Sequence, residues 1–183
     1  MVFRRILRLS NADQPNQPNQ SSPENTKKII PVSYSWILTN QLAIGPMPNA
    51  PEHWDQLQQA GFQSRFSCCY AEEEEQFGAK IPDSWNSSGV SLPDHRQQEP
   101  LDPERLVQAI NTASLLVTQK SPTYLHCFAG RERSSLMAVA LTSLIKDLDI
   151  FESLDWVRRC HPKASPLYDQ LDILDQVLRK LKA

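Results

Sequence analysis

The sequence has no excess of basic residues, no long apolar run and few cysteines. Lysine and arginine number 19 against 21 aspartates and glutamates in 183 residues, giving a net charge of −2, so no positive field favours a nucleic acid partner. The apolar run at residues 136–141 is too short to cross a bilayer. The four cysteines form no CxxC pair. This argues against a zinc site and a disulfide framework and favours a reducing, cytoplasmic setting.

The chain divides into a polar N-terminal tail and one domain. Residues 11–28 are mostly Asn, Gln, Pro, Ser and charged residues, which leave almost nothing to bury and predict disorder. In the first ten residues, MVFRRILRLS, arginines interrupt the apolar run that a signal peptide needs. We favour a frayed tail over a segment that contacts a membrane surface. The prediction is a disordered tail at residues 1–30 and a single folded domain at residues 31–183.

Short apolar segments that alternate with amphipathic ones predict the class of fold. Strands are predicted at residues 34–38, 42–44, 66–70, 89–92 and 122–126. Helices are predicted at residues 51–61, from residue 102, from residue 136, at residues 151–160 and from residue 165. The four glutamates at residues 72–75 predict a solvated helix start or loop. This order predicts an α/β fold with a mostly parallel central sheet flanked by helices.

One segment carries most of the chemistry: residues 124–135 read YLHCFAGRERSS. A predicted strand leads into a short loop, and the loop leads into a predicted helix. Backbone N–H groups of such a loop and helix start can form an anion site. That site suits a phosphate dianion and favours the thiolate form of Cys127. Gly130 lets the backbone turn tightly, and Arg133 is placed to bind two phosphoryl oxygens with its guanidinium.

The same residues resemble a known signature. His126-Cys127-x5-Arg133-Ser134 resembles the HCx5R[ST] motif of the protein tyrosine phosphatase superfamily, and Gly130 matches its internal glycine. Three further segments resemble the dual-specificity subfamily: LAIG at residues 42–45, LPD at 92–94 and VRRCHP at 157–162. A compact domain also fits this subfamily better than the larger tyrosine-specific enzymes. The resemblance covers residues 34–165 and implies a cysteine-dependent phosphatase with the fold of that superfamily.

The resemblance also implies roles for individual residues. Cys127 is the nucleophile that forms a phosphocysteine, and Asp94 is the acid that protonates the leaving oxygen and then activates water. Ser134 hydrogen-bonds the sulfur, and His126 supports the loop. The phosphate is bound by Arg133 and by the loop residues Phe128, Ala129, Gly130, Arg131 and Glu132. No metal and no cofactor is implied.

Three other carboxylates compete with Asp94 for the role of the acid. Asp94 follows a predicted strand, at a distance before the nucleophile that is usual in the superfamily. Asp83 lies in a polar loop, and Asp102 is the predicted cap of a helix. Glu132 stands where many members have a small residue, and it is an alternative acid or an orienter of the arginine before it. We favour Asp94.

The predicted substrate is a phosphomonoester, namely phosphotyrosine and phosphoserine or phosphothreonine in proteins. A small anionic substrate, such as an inositol phosphate, a phosphoinositide or a nucleotide, is the alternative, because Arg131, His95 and Arg96 predict a basic mouth for the pocket. A third hypothesis is a weakly active phosphate-binding module. We expect a monomer whose partner is a phosphorylated protein or a small phosphorylated molecule.

Two adjacent cysteines raise the question of redox control. Cys68 and Cys69 end a predicted strand of the same sheet as the strand that leads to Cys127. Because side chains alternate along a strand, we expect one of the two to approach the loop, where it could trap an oxidised Cys127 as a disulfide. The interpretation that we favour is two small buried residues in a packed strand.

Overall fold

A computed structural model describes residues 30–97, 99–120 and 122–183. The predicted tail at residues 1–30 lies outside this range except for its last residue, so the division into tail and domain stays a prediction. Within the described residues, no helix is both long enough and apolar enough to cross a membrane.

Five strands form the central sheet, in the order β1-β2-β5-β3-β4. Their bounds are Ser35–Leu38 (β1), Leu42–Pro46 (β2), Ser64–Ser67 (β3), Asn86–Gly89 (β4) and Thr123–Cys127 (β5). The pairs β2–β5, β5–β3 and β3–β4 are parallel, and β1–β2 is antiparallel. The α/β class with a mostly parallel sheet is confirmed.

Six helices accompany the sheet within the described residues. Their bounds are Pro51–Gln59 (α1), Ala71–Phe77 (α2), Pro103–Gln119 (α3), Arg133–Lys146 (α4), Ile150–Cys160 (α5) and Tyr168–Leu181 (α6). Side chains fix several helix starts. Asp102 accepts from the backbone N–H groups of Glu104 and Arg105 at the start of α3, and Asp149 forms a capping box with Glu152 at α5.

The sheet separates two apolar clusters, because successive strand residues face opposite sides. Leu42, Ile44 and Leu125 belong to the larger cluster, which α3, α4, α5 and α6 complete. Ala43 and Tyr124 face the other way, into a smaller cluster with Trp54 and other aromatic residues. Helix α4 is buried along most of its length, so it lies at the centre of the domain, directly after the loop that carries Cys127.

Two strands and two helices differ from their predicted positions, and one of these helices, α4, begins at Arg133 rather than at residue 136. The strands predicted at residues 66–70 and 89–92 lie earlier, as β3 and β4. Strand β4 has the sequence NSSG and is mostly exposed, so it has no apolar pattern that could reveal it. The last helix begins at Tyr168 rather than at residue 165. The segment before it extends to the loop after Cys127, where the Ser165 N–H donates to the carbonyl oxygen of Arg131 over 2.9 Å.

Candidate active site

The Cys127 loop lies at the carboxyl ends of the parallel strands. β5 ends at Cys127 and α4 begins at Arg133, as the strand–loop–helix prediction requires. Strand β5 lies between β2 and β3, so the loop is in the middle of the sheet edge. Gly130 has a φ of +70°, a left-handed conformation that glycine adopts without the steric cost of a Cβ.

Neighbouring groups bind the carbonyl oxygens of this loop from outside. The Phe128 carbonyl accepts from the Met47 N–H (3.2 Å), and the Arg131 carbonyl accepts from the Ser165 N–H (2.9 Å). The Gly130 carbonyl accepts from Nε2 of His161 (3.0 Å). In a trans peptide the N–H of the next residue points away from the carbonyl. The N–H groups after these three carbonyls are therefore directed to the pocket side, as an anion-binding loop requires.

Cys127 lies at the base of a pocket of about 290 Å³. Its sulfur is 3.3 Å from the Ser134 hydroxyl oxygen, a distance at which the hydroxyl can stabilise a thiolate. The pocket is lined by Asp94, His95, Arg96, Cys127, Phe128, Ala129, Arg131, Glu132 and Arg133. The structure therefore brings together Cys127, Arg133 and Asp94, which the sequence analysis placed in one site. Gly130, Ser134 and His126 lie around the pocket rather than on its lining.

Arg133 is buried, with 1% of its side chain exposed, and binds two carboxylates. Its Nη1 donates to Oε2 of Glu73 over 2.6 Å, and its Nη2 donates to Oε1 of the same residue over 3.0 Å. Nη2 also lies 2.9 Å from Oδ2 of Asp94. Among the described residues, Nε of Arg133 has no hydrogen-bond partner. One buried N–H donor of the guanidinium is therefore unused.

The prediction that residues 72–75 are solvated is wrong for Glu73. These residues belong to helix α2, but only 12% of the Glu73 side chain is exposed. Burial raises the pKa of Glu73, and hydrogen bonds from Arg133 and the Tyr70 N–H outweigh that effect, so the pKa is lowered. Sequence analysis missed this residue because a run of four glutamates is usually a solvated face, and its partner is distant along the chain.

Asp94 is ionised and held by arginines. The Arg96 N–H and Nε donate to Oδ1 over 2.9 and 3.1 Å, and Nη2 donates to Oδ2 over 2.6 Å. Burial raises the pKa of Asp94, but the hydrogen bonds from Arg96 and the charges of Arg133 and Arg96 lower it overall. The other two aspartates lie outside the pocket: Asp83 is exposed in a turn, and Asp102 caps α3.

Glu132, in the Cys127 loop, binds the segment that carries Asp94. Its carboxylate accepts a hydrogen bond from the His95 backbone N–H (3.2 Å). It also lies 2.7 Å from Nδ1 of the His95 ring. The predicted basic mouth is thus partly neutralised, because His95 faces Glu132 and Arg96 faces Asp94 and Glu73. Arg131 lines the pocket and is exposed, and it forms no ion pair with the described part of the chain.

His126 lies in a buried polar cluster behind the loop. Arg65 donates from Nη1 to Nε2 of His126 over 3.0 Å and to Glu74 over 2.5 Å. Burial, followed by the charge of Arg65, lowers the pKa of His126 to about 3. The ring is therefore a neutral acceptor at physiological pH, which agrees with a supporting role and excludes a proton donor that titrates near pH 7.

His161 supports the loop from the other side, a contact that sequence analysis did not predict. Its Nδ1 is 2.9 Å from the Ser35 hydroxyl, and its Nε2 donates to the Gly130 carbonyl. Burial lowers the pKa of His161. The sequence signal was the VRRCHP segment at the end of α5, whose resemblance to a family motif predicted the helix end and not this hydrogen bond.

Cys68 and Cys69 follow β3 rather than ending it. Both belong to the larger apolar cluster, and the Cys69 sulfur also lies within 4.8 Å of a carboxylate oxygen of Glu74 and a ring nitrogen of His126. That only one of the two approaches the loop stays a prediction. Burial and the nearby Cys127 raise the pKa of Cys68. Burial also raises the pKa of Cys69 to about 12. All four cysteines are free thiols in the structure.

Comparisons with known proteins find matches among solved structures. No family model and no curated protein matches the chain. PTPMT1 matches with a TM-score of 0.69 and 16% identity over 82% of this chain and 96% of its own; a second PTPMT1 structure contains PI(5)P. Tk-PTP in its active form matches with a TM-score of 0.63 and 21% identity, over 81% and 97% of the two chains. Human DUSP28 matches with a TM-score of 0.64 and 20% identity, over 82% of this chain and 95% of its own.

These likenesses extend over nearly the whole of each matched structure. At such low identity they establish the architecture. The chain has a protein tyrosine phosphatase fold of the dual-specificity type.

Proposed function

We propose that this protein is a phosphatase that hydrolyses phosphomonoesters through a phosphocysteine intermediate on Cys127. The observation that carries the proposal is the arrangement at the base of the pocket. The Cys127 sulfur lies beside the Ser134 hydroxyl, and the buried guanidinium of Arg133 keeps Nε for an acceptor. A tetrahedral phosphoryl group requires a nucleophile and a donor fork of this kind.

In the first step the Cys127 thiolate attacks phosphorus. The S–P bond forms, the bond from phosphorus to the ester oxygen breaks, and Asp94 gives that oxygen its proton. Arg133 and the inward N–H groups of the loop bind the equatorial oxygens, where charge is redistributed in the transition state. The negative charge of the phosphoryl group replaces that of Asp94 at Nη2 of Arg133, and Asp94 takes up a proton from water as the substrate binds, so that it enters this step as the carboxylic acid.

In the second step water attacks the phosphocysteine. Asp94, now a carboxylate, accepts a proton from the water as its oxygen bonds to phosphorus. The S–P bond breaks, and the Ser134 hydroxyl stabilises the departing sulfur. Inorganic phosphate leaves and the thiolate is restored. Every proton and bond in the two steps is supplied by the chain, the substrate and water, so the proposal includes no metal or cofactor.

Hydrolysis of p-nitrophenyl phosphate at mildly acid pH tests the proposal. Cys127→Ser is expected to lose nearly all turnover, because a serine hydroxyl is not ionised at this pH. Arg133→Lys is expected to be severely impaired, because an ammonium group cannot make the bidentate contact. Cys160→Ser is the matched control, since Cys160 ends α5 outside the pocket. Activity at the wild-type level in Cys127→Ser would refute the proposal.

We further propose phosphotyrosine and phosphoserine or phosphothreonine in proteins as the substrates. A small anionic substrate is the second candidate, and Arg131 favours it, because this residue is exposed at the pocket and forms no ion pair with a described residue. The two are separated by a panel of phosphopeptides, inositol phosphates, phosphoinositides and nucleotides. If Arg131→Ala raises KM for multiply phosphorylated substrates more than for an aryl phosphate, the small-substrate candidate is supported. Failure to hydrolyse any of them would indicate a phosphate-binding module.

The proposed setting is a reducing, cytoplasmic one, supported by the four free thiols and by the dependence of the reaction on a reduced Cys127. We also propose a monomer, which size-exclusion chromatography with light scattering tests directly.

A further inference from the structure

Two carboxylates and two guanidiniums alternate in a closed ring beside Cys127. Arg133 binds Glu73 through Nη1 and Nη2, and its Nη2 also lies 2.9 Å from Asp94. Arg96 binds Asp94 through Nε and Nη2, and its Nη2 also donates to Oε1 of Glu73 over 2.5 Å. Each charged group of the ring thus contacts two groups of opposite charge.

Arg96 is the outermost member of this ring. Its side chain is 41% exposed, whereas Asp94 is 6%, Glu73 is 12% and Arg133 is 1% exposed. The Arg96 guanidinium also lies over the Phe128 ring, with Cζ 4.9 Å from the ring centroid, a cation–π geometry. One side chain therefore connects the segment of Asp94 to helix α2 and to the catalytic loop.

We propose that Arg96 is a positioning residue that holds Asp94 over the Cys127 pocket when the phosphoryl group binds Arg133. This inference rests on the proposed phosphatase function. The phosphoryl oxygens and Asp94 require the same edge of Arg133, so a bound substrate removes the 2.9 Å contact at Nη2. Both oxygens of Asp94 retain Arg96, and Arg96 retains Glu73 and Phe128. The acid thus stays attached to the loop while its contact with Arg133 is lost.

The same contacts connect Arg96 to the pH dependence of catalysis. Arg96 and Arg133 face Asp94 directly, Glu73 lies beyond them on α2, and His95 and Glu132 contribute nearby groups; Cys127 lies in the same pocket. Arg96 stabilises the carboxylate form of Asp94, whereas the first step requires the carboxylic acid. Removing Arg96 therefore raises the pH at which the acid is lost, although it weakens the placement of that acid.

Steady-state kinetics on aryl phosphates with good and poor leaving groups test the proposal. With Arg96→Ala we expect kcat to fall about 10-fold or more on poor leaving groups and much less on good ones, a part of the roughly 10²–10⁴-fold that general acid catalysis supplies. The alkaline limb of the pH profile should move to higher pH. Arg96→Lys should recover part of kcat, because it keeps one charged donor. Arg159→Ala is the matched control, since Arg159 pairs with Asp155 on the exposed face of α5.

An unchanged alkaline limb in Arg96→Ala, or a loss equal for all leaving groups, overturns the proposal. A rise in KM without a change in kcat also overturns it, and would make Arg96 a binding residue. If Arg96→Ala does not fold, Arg96→Lys carries the same two readouts. Cys127→Ser is measured in parallel: activity that survives in Cys127→Ser refutes the phosphatase mechanism itself, whereas a dead Cys127→Ser with a normal Arg96→Ala refutes this inference alone.

Discussion

At the scale of single residues, two hydrogen-bonded aspartates offer a direct comparison. Asp94 lines the pocket of Cys127, and Asp102 caps helix α3 outside it. Asp94→Asn should slow substrates with poor leaving groups most, by roughly 10²–10⁴-fold, because these depend on a proton in the transition state. Rates on aryl phosphates of increasing leaving-group pKa measure this effect.

Asp102→Ala is the control for that series. It should lower stability by about 0.5–2 kcal/mol through loss of the cap and leave the leaving-group dependence unchanged. If Asp94→Asn instead loses little on all substrates alike, the role of the acid passes to Glu132, which lies in the same pocket.

The two buried thiols next to the site lead to a second prediction. Burial raises the pKa of Cys68, and that of Cys69 to about 12, so both stay protonated at neutral pH and attack an oxidised sulfur slowly. After peroxide inactivation and treatment with a thiol, Cys68→Ser and Cys69→Ser should recover as much activity as the wild type. A lower recovery in either variant would identify a cysteine that protects Cys127.

Single residues also show what the sequence could reveal. The placement of Cys127, Gly130 and Arg133 around one loop was predictable, because it depends on spacing within a short segment. Glu73 was not, because the sequence of α2 gives no sign that the helix faces a guanidinium of α4. Pairing between distant segments depends on how the chain packs, and a local pattern of charge reports only on its own segment.

At the scale of elements, the Cys127 loop lies directly against strand β2. A Cβ placed on Gly130 would lie 2.6 Å from the Gly45 carbonyl oxygen and 2.7 Å from the Pro46 nitrogen, and these are backbone atoms that move only with the strand. Gly130→Ala should therefore cost about 2–5 kcal/mol, from left-handed strain and overpacking together, and should lose most activity. Urea unfolding and aryl phosphate hydrolysis measure the two effects.

Gly61 provides the matched control for this prediction. It also has a positive φ, +95°, but a Cβ there would meet nothing within 4 Å. Gly61→Ala should cost about 1–2 kcal/mol from conformation alone and keep its activity. If the two variants lose equal stability and activity, the contact between the loop and β2 does not shape the site.

Elements differed in how well the sequence predicted them. The start of α3 was predicted correctly because Asp102 and the proline after it are local signals. Strand β4 was misplaced because its polar residues pair with β3 through backbone hydrogen bonds, which any sequence can form. The α/β class nevertheless followed from the order of segments, since it depends on the number and kind of elements more than on their limits.

At the scale of the whole molecule, buried ionisable groups connect stability to pH. The folded chain keeps His126 neutral, with its pKa lowered from 6.5 to about 3. The unfolded chain binds more protons between these values, so stability falls as the pH falls through this window. Asp94, Glu73 and Glu74 also have lowered pKa values. These carboxylates stabilise the folded chain above the ordinary carboxyl pKa range. That stabilisation is lost as the pH falls through their lowered pKa values.

The two windows overlap at low pH, but the upper part of the His126 window lies above the carboxylate window, which makes the contribution of His126 measurable there. Between about pH 6.5 and 5.5 the carboxylates are largely ionised in both states, so the slope there comes mainly from histidines whose pKa values folding lowers. His126→Asn should flatten this part of the curve of unfolding free energy against pH, because asparagine can accept from Arg65 without titrating. His161, whose pKa is also lowered, contributes equally to both proteins. Urea unfolding at intervals from pH 8 to 4.5 measures the slopes, and equal slopes would mean that the folded protein protonates His126 as readily as the unfolded chain does.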